Sequence, residues 1–507
     1  MTPGARNLAV LGEQAYDRHG DREVLYFEGR WLRSHELRDR TERAAGGFMQ
    51  LGVAPGDRVV VLMSNCPEVG ISYGALWRAG AVVTPAIFLL PPDQIRHILI
   101  DSAAVAIVTS EEFVPTVREA AKGVDTLRHI IVVGGDAPDT ISWEQLEAAD
   151  ARPIVARADT DLAALLYTGG TTGRAKGVML THDNLWSCGK SCEESSYIPG
   201  VTRTLSALPL AHAFGLMVSV VALHSRDPGE AVVMRWFDPT GFLDLAESLA
   251  IQRATAVPAM LQMLLAEPLE QRDLSAWAYV TVGASPLPVD VAQELQRRVP
   301  SLTVLEGYGC TETSGVMTVN PPSAPKLGTV GQAIPGYEIR IVDDDGEQVP
   351  TGEPGEVTVR SAGVMSGYWQ APAASQAALR DGWFFTGDVG CLDDEGYLRI
   401  VDRKKDLIIR NGFNVFPRDV EDELGKHPAV AMVGVVGRPD AKVGEEVVAF
   451  VQTHPGADIT AEQLVTWART QIGGYKYPRE VHLIEQIPLT PVLKTDRKAL
   501  RAELLRP

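Results

Sequence analysis

Apolar runs of strand length alternate with amphipathic stretches of helix length along the N-terminal part of the chain, and this alternation constrains the fold more than any other feature. Strand-like runs at 58–63, 81–85 and 105–110 are separated by helical patterns at 34–51, 68–79 and 92–102, the signature of parallel α/β layers. A second series follows at 204–208, 254–257, 280–282 and 303–305, again with helical patterns between, so two similar sheets are expected. From about 328 to 400 the character changes. There EIRIVDDDGEQV and GEVTVRS read as short strands joined by Asp/Gly turns, hence a small β-barrel or sheet. Beyond 402 the pattern is mixed, with a helix at 417–426, strands at 431–436 and 446–452, and a helix at 461–472. At 507 residues the chain is too long for one core. The break at 402–405 divides it into a large domain, 1–402, and a smaller α+β domain, 403–507.

The net charge of −18 opposes nucleic acid and anionic membranes as partners, while leaving room for a local basic pocket. No apolar run reaches the roughly 20 residues that span a bilayer, and the start, MTPGARNLAV, lacks a signal-peptide core. Five scattered cysteines (Cys66, Cys188, Cys192, Cys310, Cys391) lack zinc-ligand spacing and fit a reducing compartment. A cytoplasmic protein is expected; the oligomeric state stays open.

Residues 167–177, YTGGTTGRAKG, follow the apolar run 162–166, which reads as a buried strand. Gly169, Gly170 and Gly173 give the backbone freedom, Thr168, Thr171 and Thr172 add hydroxyl donors, and Lys176 adds a mobile cation. Such a turn on a rigid scaffold wraps a polyphosphate. It is not a Walker A loop, because Lys176 follows Ala175 and precedes Gly177.

The loop resembles the phosphate loop of the adenylate-forming superfamily, which includes acyl-CoA synthetases, aryl-acid ligases, luciferases and peptide-synthetase adenylation domains. Family members often have Ser at the place of Gly170 and Pro at that of Ala175; both replacements keep the loop small. The resemblance recurs in order along nearly the whole chain. It implies a large N-terminal domain of two similar α/β sheets plus a small β-barrel, a mobile C-terminal domain of about 100 residues, and an active site between them.

EGYGCTETSG, 306–315, is a glycine-rich turn after a strand, with Glu306, Gly307, Tyr308, Gly309 and Cys310 leading into Thr311 and Glu312. Without the other motifs it reads as a strand-ending turn with a solvated Glu. The resemblance implies that Tyr308 packs against adenine, Thr311 contacts the α-phosphate and Glu312 helps hold Mg²⁺. It also lays VGASPLP (282–288), with Gly283, Ala284 and Ser285, along the other side of the base. In WFFTGDVGCLDDEGYLRIVDRKKDLII, 383–409, it makes Asp388 and Arg403 the ribose-binding pair and Lys405 the hinge. By the same resemblance, Gly412 falls in the segment that enters the site in a second conformation, where it would allow close approach of a thiol arm.

In PLTPVLKTDRKALR, 488–501, Lys494 is the catalytic candidate. Attack of a carboxylate on the α-phosphorus spreads negative charge over phosphoryl oxygens, and a placed ammonium stabilises it. A solvated basic tail is the competing reading, since Arg497, Lys498 and Arg501 follow; Leu493 replaces the family's usual Gly. LSALPLAHAFGLMVSV (205–220) resembles the family's acid-pocket segment, which makes His212, Phe214, Gly215, Met217 and Val218 pocket candidates, with Gly283, Gly307 and Cys310 added by the same resemblance. With no Asp there to pair with a substrate ammonium, a hydrophobic acyl or aryl acid is expected. His212 has two readings, a substrate contact or gate and a packed, hydrogen-bonded core histidine.

Together the motifs imply ATP-dependent formation of an acyl-adenylate with release of pyrophosphate, then transfer to a thiol. IGGYKYPR, 472–479, resembles an acyl-CoA synthetase segment and favours CoA. A phosphopantetheinyl carrier protein comes second, and an amine acceptor third. A nucleotide-binding protein without catalysis is disfavoured by the joint presence of Lys176, Glu312, Asp388, Arg403 and Lys494.

Overall fold

The computed structural model describes residues 4–168, 174–440, 442–490 and 495–504. The chain falls into two compact units, Met1–Glu338 with Val359–Phe384, and Ile339–Thr358 with Phe385–Pro507.

The first unit contains both expected sheets. In the eight-stranded one, Val59 is in parallel register with Val83 on one side and Ala106 on the other. Strands Arg58–Leu62, Val82–Pro85 and Ala106–Ser110 are buried almost throughout. They read as continuous apolar runs because both faces of a parallel strand are covered. Pro67 and Pro92 open the helices Pro67–Arg78 and Pro92–Asp101, where a missing N–H has no intrahelical partner to lose. The nine-stranded sheet has a parallel centre, with Leu205, Ala254, Val280 and Val304 side by side. Phe242, Leu261, Trp277 and Leu295 pack in its core. The strand expected at 303–305 runs on as Thr303–Tyr308, because Gly307 and Tyr308 pair with Val319 and Thr318 through the main chain, which needs no apolar side chain.

In the second unit Asp388 and Val389 pair with Arg403 and Asp402 across antiparallel strands Trp383–Leu392 and Leu398–Arg403. A further sheet follows, built on Val430–Asp440 and Gly444–Thr453. Its strands carry two cores by strict alternation. Val435, Val447, Ala449 and Val451 face helices Pro417–Gly425 and Ala461–Gln471, whereas Val436, Val448 and Phe450 pack with Ile487 and Leu500. Among the described residues no helix is long and apolar enough to cross a membrane.

Candidate active site

Four of the segments singled out in the sequence leave the carboxyl ends of strands in the first unit, the end at which open α/β sheets place their ligands. Thr168 closes Leu162–Thr168 and Lys176 opens the antiparallel Lys176–Thr181, and the two are register partners. The ends of the glycine run are thus brought opposite each other. Gly169, Gly170, Thr171, Thr172 and Gly173 lie outside the described residues. Beside these ends, Tyr167 donates its hydroxyl hydrogen to Asp101 Oδ2 at 2.6 Å, and His97 Nε2 lies 2.8 Å from the Ala175 carbonyl oxygen.

Strand Arg203–Ser206 leads to helix Ala213–His224. His212 is its N-cap, with Nδ1 accepting from the Phe214 N–H at 3.3 Å, so the neutral ring carries its proton on Nε2. Phe214 then reaches the neighbouring strand ends. A β-carbon placed on Gly283 would stand 3.1 Å from the Gly307 carbonyl oxygen and 3.7 Å from Phe214 Cε1. One placed on Gly315 would stand 3.5 Å from Met217 Cβ. Phe214 and the Gly307 carbonyl thus both border Gly283, and Met217 borders Gly315, although these residues are far apart in sequence. Gly215 lies under Pro209 and Leu210, where a β-carbon would be 2.2 Å from the Pro209 oxygen, so its part is packing. Val218 sits half-buried on the same helix.

The turn after Thr303–Tyr308 is tightly tied. Thr313 Oγ1 lies 3.1 Å from the Cys310 N–H it accepts and donates to the Cys310 carbonyl at 3.0 Å. Ser314, in the left-handed region at φ 61°, donates its hydroxyl hydrogen to Gly363 O at 2.7 Å. Ala284, beside Ser285 in the other turn, is also left-handed at φ 72°. Two non-glycine residues in this region at neighbouring turns mark strain held by the surrounding structure. Thr311 and Glu312 lie in the short 3-10 turn Thr311–Thr313. Glu312 accepts the Tyr368 hydroxyl at 2.9 Å, and the Lys176 ammonium lies 5.2 Å from the centre of the Tyr368 ring. Burial and the Glu312 carboxylate push the Tyr368 phenol well above its ordinary range, so it remains a donor. Sequence reasoning passed over Tyr368, Asp101 and His97. The only signal for Tyr368 was a Gly-Tyr-Trp run among ordinary residues, and its partners lie far off in sequence.

In the second unit Asp388 and Arg403 are register partners, with Arg403 Nε 3.5 Å from Asp388 Oδ1. The carboxylate is 14% exposed and the guanidinium 47%, so the acid is held and the base faces outward. Lys405 is exposed in the turn Lys404–Asp406. Asn411 and Gly412, at φ 51° and 77°, form the two-residue connection between Ile408–Arg410 and Phe413–Val415. That left-handed pair is what a tight hairpin demands, and it accounts for the glycine without a ligand. Phe413 and Tyr475, 57% and 39% exposed, stack at 5.1 Å beside Lys476, which pairs with Asp419 at 2.6 Å. Lys494 lies outside the described residues. Three positions on, Arg497 is fixed by Glu421 at 2.7 Å and stands 3.7 Å from buried Asp406, which also pairs with Arg501 at 3.0 Å.

Comparison with known proteins fits this arrangement. Residues 12–369 match the family model described as AMP-binding enzyme, and 419–494 match that of the AMP-binding enzyme C-terminal domain. A feruloyl-CoA synthase from Amycolatopsis sp is 37% identical over 482 residues, 93% of this chain and 92% of that protein. A long-chain-fatty-acid–CoA ligase from Yersinia pestis is 33% identical over 533 residues, 98% and 94%. The ATP-bound crystal structure of MatB from Rhodopseudomonas palustris is 30% identical, with a TM-score of 0.90 over 98% of each chain. The fold and the site define an adenylate-forming ligase that activates a carboxylic acid with ATP and passes the acyl group to CoA. The chain belongs to the AMP-binding enzyme family.

Proposed function

We propose that this ligase takes a hydrophobic acyl or aryl acid, works in the cytoplasm and uses free CoA as its acceptor. The observation that carries the substrate reading is the approach of Phe214 and the Gly307 carbonyl to Gly283 at the strand ends, on a segment, 205–220, that holds no acidic side chain. In this reading His212, at the helix start two residues before Phe214, contacts the substrate, and Cys310, in the turn after Thr303–Tyr308, takes part in the pocket.

In this reading Thr168, Gly169, Gly170, Thr171, Thr172, Gly173 and Lys176 hold the polyphosphate. Gly283, Ala284, Ser285 and Tyr308 hold adenine, with Glu306 and Gly309 shaping the turn; Thr311 meets the α-phosphate, and Asp388 and Arg403 the ribose. Among the described residues no three His, Cys, Asp or Glu side chains gather to hold a metal. A lone Glu312 nevertheless suits Mg²⁺, which keeps several waters and binds through one or two carboxylates plus substrate phosphates. When bound, the ion neutralises charge on the phosphates. A carboxylate oxygen attacks the α-phosphorus, pyrophosphate leaves, and the Lys494 ammonium stabilises the charge that develops. In the second step the thiol attacks the acyl carbon and AMP departs. The turn about Lys405 carries Gly412 toward the thiol arm, and the exposed Phe413–Tyr475 stack with Lys476 offers a surface for a nucleotide and its phosphates.

The test is acid-dependent exchange of labelled pyrophosphate into ATP across fatty, aryl, β-amino and α-amino acids, followed by addition of CoA to the best acid. Exchange with a hydrophobic acid and then a thioester supports the reading. Exchange restricted to amino acids overturns the substrate class. Exchange without a thioester redirects the acceptor to a carrier protein or an amine.

A further inference from the structure

The segment 365–369 joins two motifs that the sequence reading treated separately. On one side it runs along the strand that begins at Lys176: Ser366 N–H donates to Met179 O at 3.0 Å, Trp369 N–H to Gly177 O at 2.7 Å, and Tyr368 is the register partner of Val178. On the other side Met365 N–H donates to Glu312 O at 2.8 Å, and the Tyr368 hydroxyl to Glu312 Oε1 at 2.9 Å. Ser375 Oγ accepts the Tyr368 N–H at 2.8 Å, and Trp369 Nε1 donates to Asp101 O at 3.0 Å, so the segment is anchored at both ends.

We infer that Tyr368 is a positioning residue which fixes the Glu312 carboxylate through its hydroxyl and supports the Lys176 ammonium on its ring, coupling the cation site to the phosphate loop. The inference rests on the reading of Glu312 as the Mg²⁺ carboxylate. A carboxylate on a turn samples several rotamers. One charge-assisted hydrogen bond to a half-buried phenol selects among them and leaves the second oxygen for a cation. The ring separately gives Lys176 a face on which to rest without neutralising it, so the ammonium stays available to a phosphate.

The two contacts can be separated by substitution. Tyr368→Phe removes the hydroxyl and keeps the ring; Tyr368→Leu removes both; Glu312→Gln tests the carboxylate itself. The measurement is ATP binding by calorimetry at a series of MgCl₂ concentrations and in EDTA, beside the KM for MgATP and the kcat of pyrophosphate exchange. Y368F is expected to raise the Mg²⁺ concentration for half-maximal ATP binding by about tenfold, the scale of one hydrogen bond to a charged group, with binding in EDTA unchanged. Its KM for MgATP rises while the KM for the acid stays put. Y368L is expected also to weaken ATP binding in EDTA, because Lys176 loses its platform. A purely structural tyrosine lowers the melting temperature without moving the Mg²⁺ dependence. If E312Q shifts the Mg²⁺ requirement and Y368F leaves it in place, the positioning role is wrong. If E312Q leaves it in place too, the reading of Glu312 fails and this inference falls with it.

Discussion

His212 shows how one side chain can satisfy two readings of the same residue. Its Nδ1 caps the helix Ala213–His224, which accounts for a histidine at this place without any substrate. The substrate contact proposed for it at the start of this helix would be a second task. Substitution tells them apart, because asparagine is a better cap than histidine and a poorer substitute for an imidazole. His212→Ala is expected to lose about 1 kcal/mol of stability with the cap. His212→Asn is expected to recover that stability in urea unfolding while pyrophosphate exchange remains depressed in both variants. Full activity in H212N would reduce His212 to a cap.

At the scale of elements, the start of the last helix is bound into the second unit by charge. Arg497 pairs with Glu421 and stands near Asp406, Arg501 adds a second cation to Asp406, and Asp406 directly follows Lys405. Burial raises the Glu421 carboxyl, and Arg497 opposes that shift, so the pair is kept by mutual compensation. Arg497→Met is expected to destabilise this unit by roughly 3 kcal/mol, because the enclosed Glu421 loses its partner and Asp406 keeps only Arg501. The loss should appear in the unfolding midpoint, and adenylation should fall with it. None of this was legible in the sequence, where Arg497 entered only through the competing reading of a solvated basic tail. What was legible had local causes. The buried strands declared themselves by continuous apolar runs. The run at 167–177 stood out by composition alone. The Tyr368–Glu312 contact and the close approach of Phe214 and Gly307 to Gly283 depend on which strands neighbour which, and strand order is not written in any one segment. The tie between Asp388 and Arg403 likewise needed the register of their hairpin.

Over the whole molecule, two buried histidines and two half-reactions set the remaining expectations. Burial, helped by Arg157 and Arg18 respectively, holds the His182 and His224 pKa values down at about 4. Unfolded, each takes up a proton near pH 6.5, so between about pH 6.5 and 4 the unfolded chain binds more protons. Stability is full above this window and falls as pH drops through it, by on the order of 2 kcal/mol per group at pH 5. His182→Asn, which can still accept from the Leu8 N–H that His182 binds at 3.2 Å, should flatten the loss measured between pH 7.5 and 5, values chosen to span roughly that window. The half-reactions make the stronger test, because one chain must serve two chemistries whose demands conflict. An ammonium at the α-phosphate assists departure of pyrophosphate, whereas the thiol needs access to the acyl carbon after that departure. If Lys494 serves the first step and a turn at Lys405 serves the second, substitutions at the two sites must fail in opposite ways. Lys494→Ala is expected to slow pyrophosphate exchange by at least about a hundredfold while still converting supplied acyl-adenylate and CoA to thioester. Lys405→Pro, which stiffens the backbone where it must turn, is expected to keep exchange and to lose thioester formation by about tenfold or more. Equal losses in both assays for both variants would mean that a single conformation performs both steps, and would remove the hinge from the mechanism.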